Sequence, residues 1–282
     1  MKRMKFIPEE TIRQLCSGIH GQWGLYVSVP ETGEKLQLGS SERLVSASTI
    51  KIPLLALLLQ DAEEGRLDLH KGVVIEPANW VGGSGILQSL SPSLQLNLID
   101  HAELMMVLSD NIATNVVIDA VGMDRANAFF AREGWTATHL GRKMMTPGVL
   151  LPDGTREQNY TSVADLADMM ERILAGTLVS PWACQTMMRI MAGQRNGKFR
   201  PALPEAKRYD PRQELTPIPE GKVVLAAKSG TLAAPVVSHD AGILLLPNGR
   251  SAVLVMMTAT RSNAETDKII GQVARTVYEA LR

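Results

Sequence analysis

The sequence predicts a mixed fold, α/β plus all-α: an antiparallel sheet flanked by N- and C-terminal helices, with an all-helical lobe inserted between the two ends of the chain. Three observations carry this prediction. Strand-like runs are confined to the two ends of the chain, and the middle repeats its apolar residues at helical spacing. At 282 residues the chain also passes the size at which one hydrophobic core usually stops growing, so two packed lobes are expected. The expected division is an α/β domain from residues 1–45 and 220–282 and a helical domain from 46–219.

Each element has a local cause. A short helix is expected at 8–17. Residues 23–29 are rich in aromatic and β-branched types and read as a strand. Pro30-Glu31-Thr32-Gly33 is turn chemistry, and 35–38 alternates as the return strand of a hairpin. Residues 50–64 form an apolar helix closed by Gly65 in a left-handed cap. Residues 81–87, Val-Gly-Gly-Ser-Gly-Ile-Leu, read as a flexible loop. They are not a nucleotide cradle, because no Lys-Ser/Thr pair and no preceding strand accompany the glycines. They also fail the Gly-x-Ser-x-Gly elbow, since Ile86 stands at the second glycine position. Helices are expected at 98–108 and 112–121, meeting at the polar corner Ser109-Asp110-Asn111, and again at 125–133, 162–175 and 182–192. The long irregular segment 136–160 reads as a functional loop. A proline-rich connector at 199–219 leads to a strand at 222–227, then Lys228-Ser229-Gly230-Thr231 at its edge. A second hairpin, 242–246 with 251–257 around Pro247-Asn248-Gly249, and a helix at 263–281 complete the chain.

Composition narrows the function. The chain is 45% hydrophobic and 21% charged, and 29 basic residues balance 29 acidic ones, so neither nucleic acid nor an anionic membrane is an expected partner. Only Cys16 and Cys184 occur, which excludes a disulfide framework and a zinc ribbon and leaves a single bridge open. His20, His70, His101, His139 and His239 stand alone, so no metal and no cofactor is expected. The paired methionines fall in helical patterns and read as core filler. No run reaches the length of a membrane span. The start is basic but lacks an apolar stretch, which as written places the protein in the cytoplasm, or outside it if a leader has been removed. A monomer acting on a small molecule or peptide is expected.

The chemistry centres on Ser48-Thr49-Ile50-Lys51. Serine and lysine three residues apart share one helical face, and from Ile50 to Leu59 every residue except Lys51 and Pro53 is apolar. Burial there lowers the lysine pKa, and a lysine neutral near pH 7 can activate a neighbouring hydroxyl without histidine. The helix start also supplies N–H groups that favour developing negative charge. The same residues fit a plain N-cap serine and a lysine snorkelling to water. Likewise Ser109-Asp110-Asn111 fits a capped interhelical corner, and Lys228-Ser229-Gly230 an ordinary strand end.

In order, and each in the setting the chemistry needs, these three motifs resemble the penicillin-recognising serine enzymes, most closely class A β-lactamases and low-molecular-weight penicillin-binding proteins. The likeness covers nearly the whole chain. It implies that Ser48 is the acylated nucleophile and Lys51 its base or proton relay. Ser109 would pass a proton to the leaving nitrogen, while Asn111 would present its amide to the substrate. Lys228, Ser229 and Thr231 would meet the substrate's carboxylate, and Gly230 would let substrate lie along the strand. The oxyanion hole would use the N–H groups of Ser48 and Thr231. Two departures stand out. Met144 falls where a class A β-lactamase carries the glutamate that activates the deacylating water, and Glu157 is the nearest carboxylate that could substitute. The family's carboxylate-binding arginine is missing, with His239 close to its place. The resemblance therefore implies a serine hydrolase that acylates readily and deacylates by another route, acting on a β-lactam, D-amino-acid peptide or ester. A β-lactamase with a displaced base and a slow penicillin-binding sensor are the alternatives.

Overall fold

In the computed structural model, residues 5–204 and 214–282 are described; the remainder of the expected connector at 199–219 lies outside them. Helix α1 (Glu9–Cys16) leads into β1 (Gly21–Val29) and β2 (Glu34–Gly39), which form the expected hairpin. The short strand β3 (Leu44–Val45) follows, then a 3-10 turn at Ala47–Ile50 that runs directly into α2 (Lys51–Glu63). Gly65 ends it with φ +71°, as the sequence requires. The two-residue strands β4 (Gly72–Val73) and β5 (Leu96–Asn97) pair with each other. Helices α3 (Leu98–Val107), α4 (Asn111–Val121) and α5 (Met123–Arg132) come next. The irregular loop is pinned by β6 (Tyr160–Thr161) against β3, and α6 (Val163–Leu174) and α7 (Pro181–Ala192) complete the helical middle. Strands β7 (Val224–Ala233), β8 (Val236–Leu245) and β9 (Ser251–Thr260) and helix α8 (Asn263–Leu281) end the chain.

The five long strands make one antiparallel sheet in the order β2-β1-β9-β8-β7. Alternation along these strands sends residues to two faces. Leu25, Val27, Leu254 and Met256 pack with Ile12 of α1 and Ile270, Val273 and Val277 of α8. Tyr26, Ala241, Ile243, Val253, Val255 and Met257 join the core of the helical middle. The sheet thus separates the terminal helices from the central ones. Within the middle, α2 is buried at every position from Lys51 to Leu59, which is the all-round apolar helix that its sequence predicts.

Three expectations change. Strand β7 does not stop near 227 but runs on through Lys228-Ser229-Gly230-Thr231 to Ala233, and β8 starts six residues earlier than 242. The polar run Ser238-His239-Asp240 obscured β8, because all three side chains are buried by tertiary contacts that local pattern does not encode. The glycine loop at 81–87 is tied down instead of free. Asp110 Oδ2 accepts the N–H groups of Ile86 (2.7 Å) and Leu87 (2.9 Å), and its Oδ1 caps α4 through the Ala113 N–H. Gly85 permits this contact, since a Cβ there would lie 2.2 Å from Asp110 Oδ2. Cys16 and Cys184 are both buried and free, so the open question of a bridge closes without one.

Candidate active site

Four groups from three distant parts of the chain meet between the sheet edge and the helical middle. Lys51, the first residue of α2, is fully buried, and its Nζ donates to Ser109 O (2.8 Å), Ser109 Oγ (3.1 Å) and Asn111 Oδ1 (3.2 Å). Lys228 Nζ, equally buried on β7, donates to the same Ser109 Oγ (3.1 Å) and to Ser229 O (2.8 Å). The Ser109 hydroxyl therefore bridges two amines. The corner that presents it is conformationally unusual: Ser109 has φ +57° and Ala47, just before Ser48, φ +46°, both costly for residues with a side chain.

Burial decides the charge on both amines. Removal from water drives Lys51 well below the ordinary lysine pKa, helped by the neighbouring charge of Lys228 and opposed by Asp110. Burial likewise brings Lys228 down to about 7, with Asp240 acting in the opposite direction. The pair can thus hold and pass a proton near neutral pH, with the Ser109 hydroxyl able to accept from one amine and donate to the other.

Ser48 is half-buried and lines a cavity of about 240 Å³ together with Asn111, Met144, Met145, Thr231 and Asn159. Its hydroxyl takes part in none of the amine hydrogen bonds, but its amide nitrogen lies against β7. A Cβ on Gly230 would stand 2.9 Å from Ser48 N, 3.0 Å from Ala47 Cβ and 3.0 Å from Ser46 O, so only glycine lets the strand approach the serine turn this closely. Asn111 completes the frame, donating Nδ2 to Gly82 O (3.1 Å) while its Oδ1 receives Lys51.

The other expected residues divide. Met144 is buried and its backbone is held on both sides by Asn115 (2.7 and 3.2 Å), which sets the residue into the cavity wall. Glu157 points to His139 (3.5 Å) and is not among the cavity residues. Ser229 is turned toward the end of α7: its Oγ accepts from Gln194 Nε2 (3.0 Å) and donates to Asn196 O. His239, expected near a substrate anion, lies fully buried with Nε2 bonded to Val45 O (2.8 Å) and Nδ1 accepting the Thr258 N–H (3.1 Å). Burial pushes its pKa to about 4, so it is a neutral tie between β8, β3 and β9 and offers no cation to the cavity. A residue that sequence reasoning missed brings an amine to Thr231, at the edge of that cavity. Lys198 Nζ sits 2.5 Å from Thr231 Oγ1, 3.2 Å from Gly230 O and 3.3 Å from His239 O. Nothing around Lys198 in the sequence marks it; the turn after α7 carries it to Gly230 and His239, which the β7–β8 register sets side by side.

The fold and the buried serine-lysine cluster define a serine hydrolase of the class A β-lactamase fold. Residues 7–281 match the beta-lactamase enzyme family, and the chain belongs to it. Among solved structures it is similar to PBP-A, with 30% identity, 97% of this chain and 95% of that one covered, and a TM-score of 0.80. The beta-lactamase of Sphaerobacter thermophilus superposes with the same TM-score at 27% identity, covering 96% of this chain and 95% of its own. A mutant of PBP-A has been solved as an acyl-enzyme complex with penicillin G. By sequence the chain is 24% identical to the extended-spectrum beta-lactamase PER-1 of Pseudomonas aeruginosa, over 96% of this chain and 86% of that protein. No helix among the described residues is long and apolar enough to cross a membrane.

Proposed function

We propose that this enzyme forms an acyl-enzyme at Ser48 with a β-lactam or a D-amino-acid peptide amide, and releases it by a route other than a glutamate-activated water. One observation carries the reading: Met144, whose thioether cannot take a proton, lines the same cavity as Ser48, while Glu157 is engaged with His139. In the acylation step Lys51 takes the Ser48 proton as Oγ attacks the carbonyl carbon. The N–H groups of Ser48 and Thr231 receive the oxyanion. Collapse then expels the amide nitrogen, which takes a proton from the Ser109 hydroxyl, replenished through the Lys51 and Lys228 amines. Lys198 and Lys228 hold the substrate's carboxylate beside Thr231, the work expected of the missing arginine. Ser48 Oγ and Lys51 Nζ, one helical turn apart, close to hydrogen-bond distance as substrate arrives, because catalytic contacts tighten in the complex. The penicillin G acyl-enzyme of the PBP-A mutant supports the reading by analogy.

The test is intact-protein mass spectrometry after mixing with penicillin G. The expected result is one adduct per chain, on the peptide carrying Ser48, that persists for many turnovers of a conventional β-lactamase. Ser48→Ala is expected to show none, and an undiminished adduct on that variant removes the assignment. Steady turnover of a chromogenic cephalosporin, in place of a stoichiometric burst, would instead point to a displaced deacylating base.

A further inference from the structure

Between α7 and β7 lies a buried carboxylate for which the acylation chemistry gives no role. Asp240 stands in β8 opposite Ser229 and is fully buried. Its Oδ2 accepts the backbone N–H groups of Lys198 (2.6 Å) and Phe199 (2.9 Å), and its Oδ1 has no partner among the described residues. The chain reaches this carboxylate because residue 197 is glycine: a Cβ there would lie 3.1 Å from Asp240 Oδ2 and 2.8 Å from Gln194 Oε1. The two N–H bonds fix where Lys198 leaves the turn. From that point its side chain spans to Gly230 O, Thr231 Oγ1 and His239 O.

We propose that Asp240 is a positioning residue: it clamps the turn at 197–199 onto the sheet and so delivers the Lys198 ammonium to Thr231, which sets how firmly the cleft holds a substrate carboxylate. Asp240 itself touches no substrate. This rests on the acyl-enzyme reading above, since it concerns the anion held during acylation. The charges around Asp240 fit the role. Lys198 and Lys228 are both driven toward neutrality by burial, and in each case Asp240 is the first group that opposes this. Arg200 feels the same carboxylate, Asp267 of α8 adds to the field at Lys198, and the adjoining His239 is neutral. Burial raises the pKa of Asp240 itself, and Lys198, the two backbone N–H groups and Lys228 pull it back down, so this one group biases both amines toward their charged forms.

The variants separate clamp from charge. Asp240→Asn retains a carbonyl oxygen for the two N–H groups and removes the charge, while Asp240→Ala removes both. A fluorescent penicillin is used as the probe, with its half-saturating concentration and limiting acylation rate measured separately from pH 5.5 to 9. For Asp240→Asn the half-saturating concentration is expected to rise about ten-fold at pH 8, and the rise is expected to shrink as pH falls, because acid protonates the amines. For Asp240→Ala it rises at every pH. On a Lys198→Ala background Asp240→Asn is expected to add less than about two-fold, because both changes remove the same interaction. Unchanged affinity in Asp240→Ala, or full additivity of Asp240→Ala with Lys198→Ala, overturns the proposal. Should the wild type fail to acylate, that failure belongs to the acyl-enzyme reading. Nitrogen-detected NMR of the lysine Nζ signals then decides this proposal alone: the Lys198 signal moves in Asp240→Ala and keeps its wild-type position in Asp240→Asn at low pH if it holds, and is the same in Asp240→Ala as in wild type if it does not.

Discussion

Replacing Lys228 by methionine is expected to stabilise the protein while disabling it. The ammonium is fully buried, and burial brings its pKa from 10.5 to about 7, which at 1.4 kcal/mol per pKa unit costs the folded state about 5 kcal/mol wherever the amine is charged. The folded-state value lies below the unfolded one, so between pH 7 and 10.5 the unfolded chain holds the proton more tightly. The penalty is therefore complete below pH 7 and fades as pH rises to 10.5. Methionine fills the lysine stem without a charge. Against this gain, Ser109 Oγ and Ser229 O each lose a donor, at about 1 kcal/mol apiece. The net expectation is about 2–4 kcal/mol of added stability at pH 7, measured as a higher urea midpoint with unchanged slope. At pH 9.5 most of that advantage should disappear, since the wild-type amine is then neutral. Acylation by penicillin G should fall by about 100-fold, because Ser109 loses one of its two amines. A Lys228→Met protein less stable than wild type at pH 7, or equally advantaged at pH 9.5, would refute the assignment of the buried charge as the source of strain.

Three further outcomes follow from the same geometry. Gly230→Ala forces a Cβ to within 2.9 Å of the Ser48 nitrogen and 3.0 Å of Ser46 O, contacts that only backbone movement relieves; a loss of about 2 kcal/mol in unfolding and about 100-fold in penicillin labelling is expected, and wild-type labelling would contradict it. Glu157→Gln breaks only the contact with His139, so the lifetime of the penicillin adduct, followed by mass spectrometry, should stay within about two-fold; a long-lived adduct becoming far longer-lived would make Glu157 the base after all. Met144→Glu puts a carboxylate into the cavity wall beside Ser48 and should shorten the adduct's lifetime by at least about ten-fold. No shortening would mean that deacylation is limited by something other than a missing base.

Much of this was legible because the motifs coincide with strong local signals. The Ser48-to-Lys51 spacing sits at the head of an uninterrupted apolar helix, and burial of that helix follows from its composition alone. Asp110 was readable as a helix cap, and it is one; that the same carboxylate also anchors the glycine loop needed coordinates, because the loop lies more than twenty residues upstream. His239 and Lys198 show the limit most sharply. His239 falls near the expected anion site along the chain, yet strand alternation sends its ring under Val45, while Lys198, remote in sequence, arrives through the glycine turn after α7. Ser229 was misread for the same reason: which face of β7 its hydroxyl takes depends on what packs there, and α7 ends there with Gln194.

The site concentrates what the rest of the fold avoids. Two amines are buried without a carboxylate in contact, two residues with side chains hold positive φ, and a strand is pressed to within contact of a serine turn. Each of these destabilises the folded chain, and a core of apolar helices on one face of the sheet, with terminal helices on the other, offsets them. The return is preorganisation: Lys51, Ser109, Asn111 and Lys228 are already hydrogen-bonded to one another beside the cavity that Ser48, Asn111 and Thr231 line. On the proposed reading, the cavity wall then governs turnover. Water admitted to such a site gains reactivity only from a base beside it, and the side chain that this chain places there is a thioether.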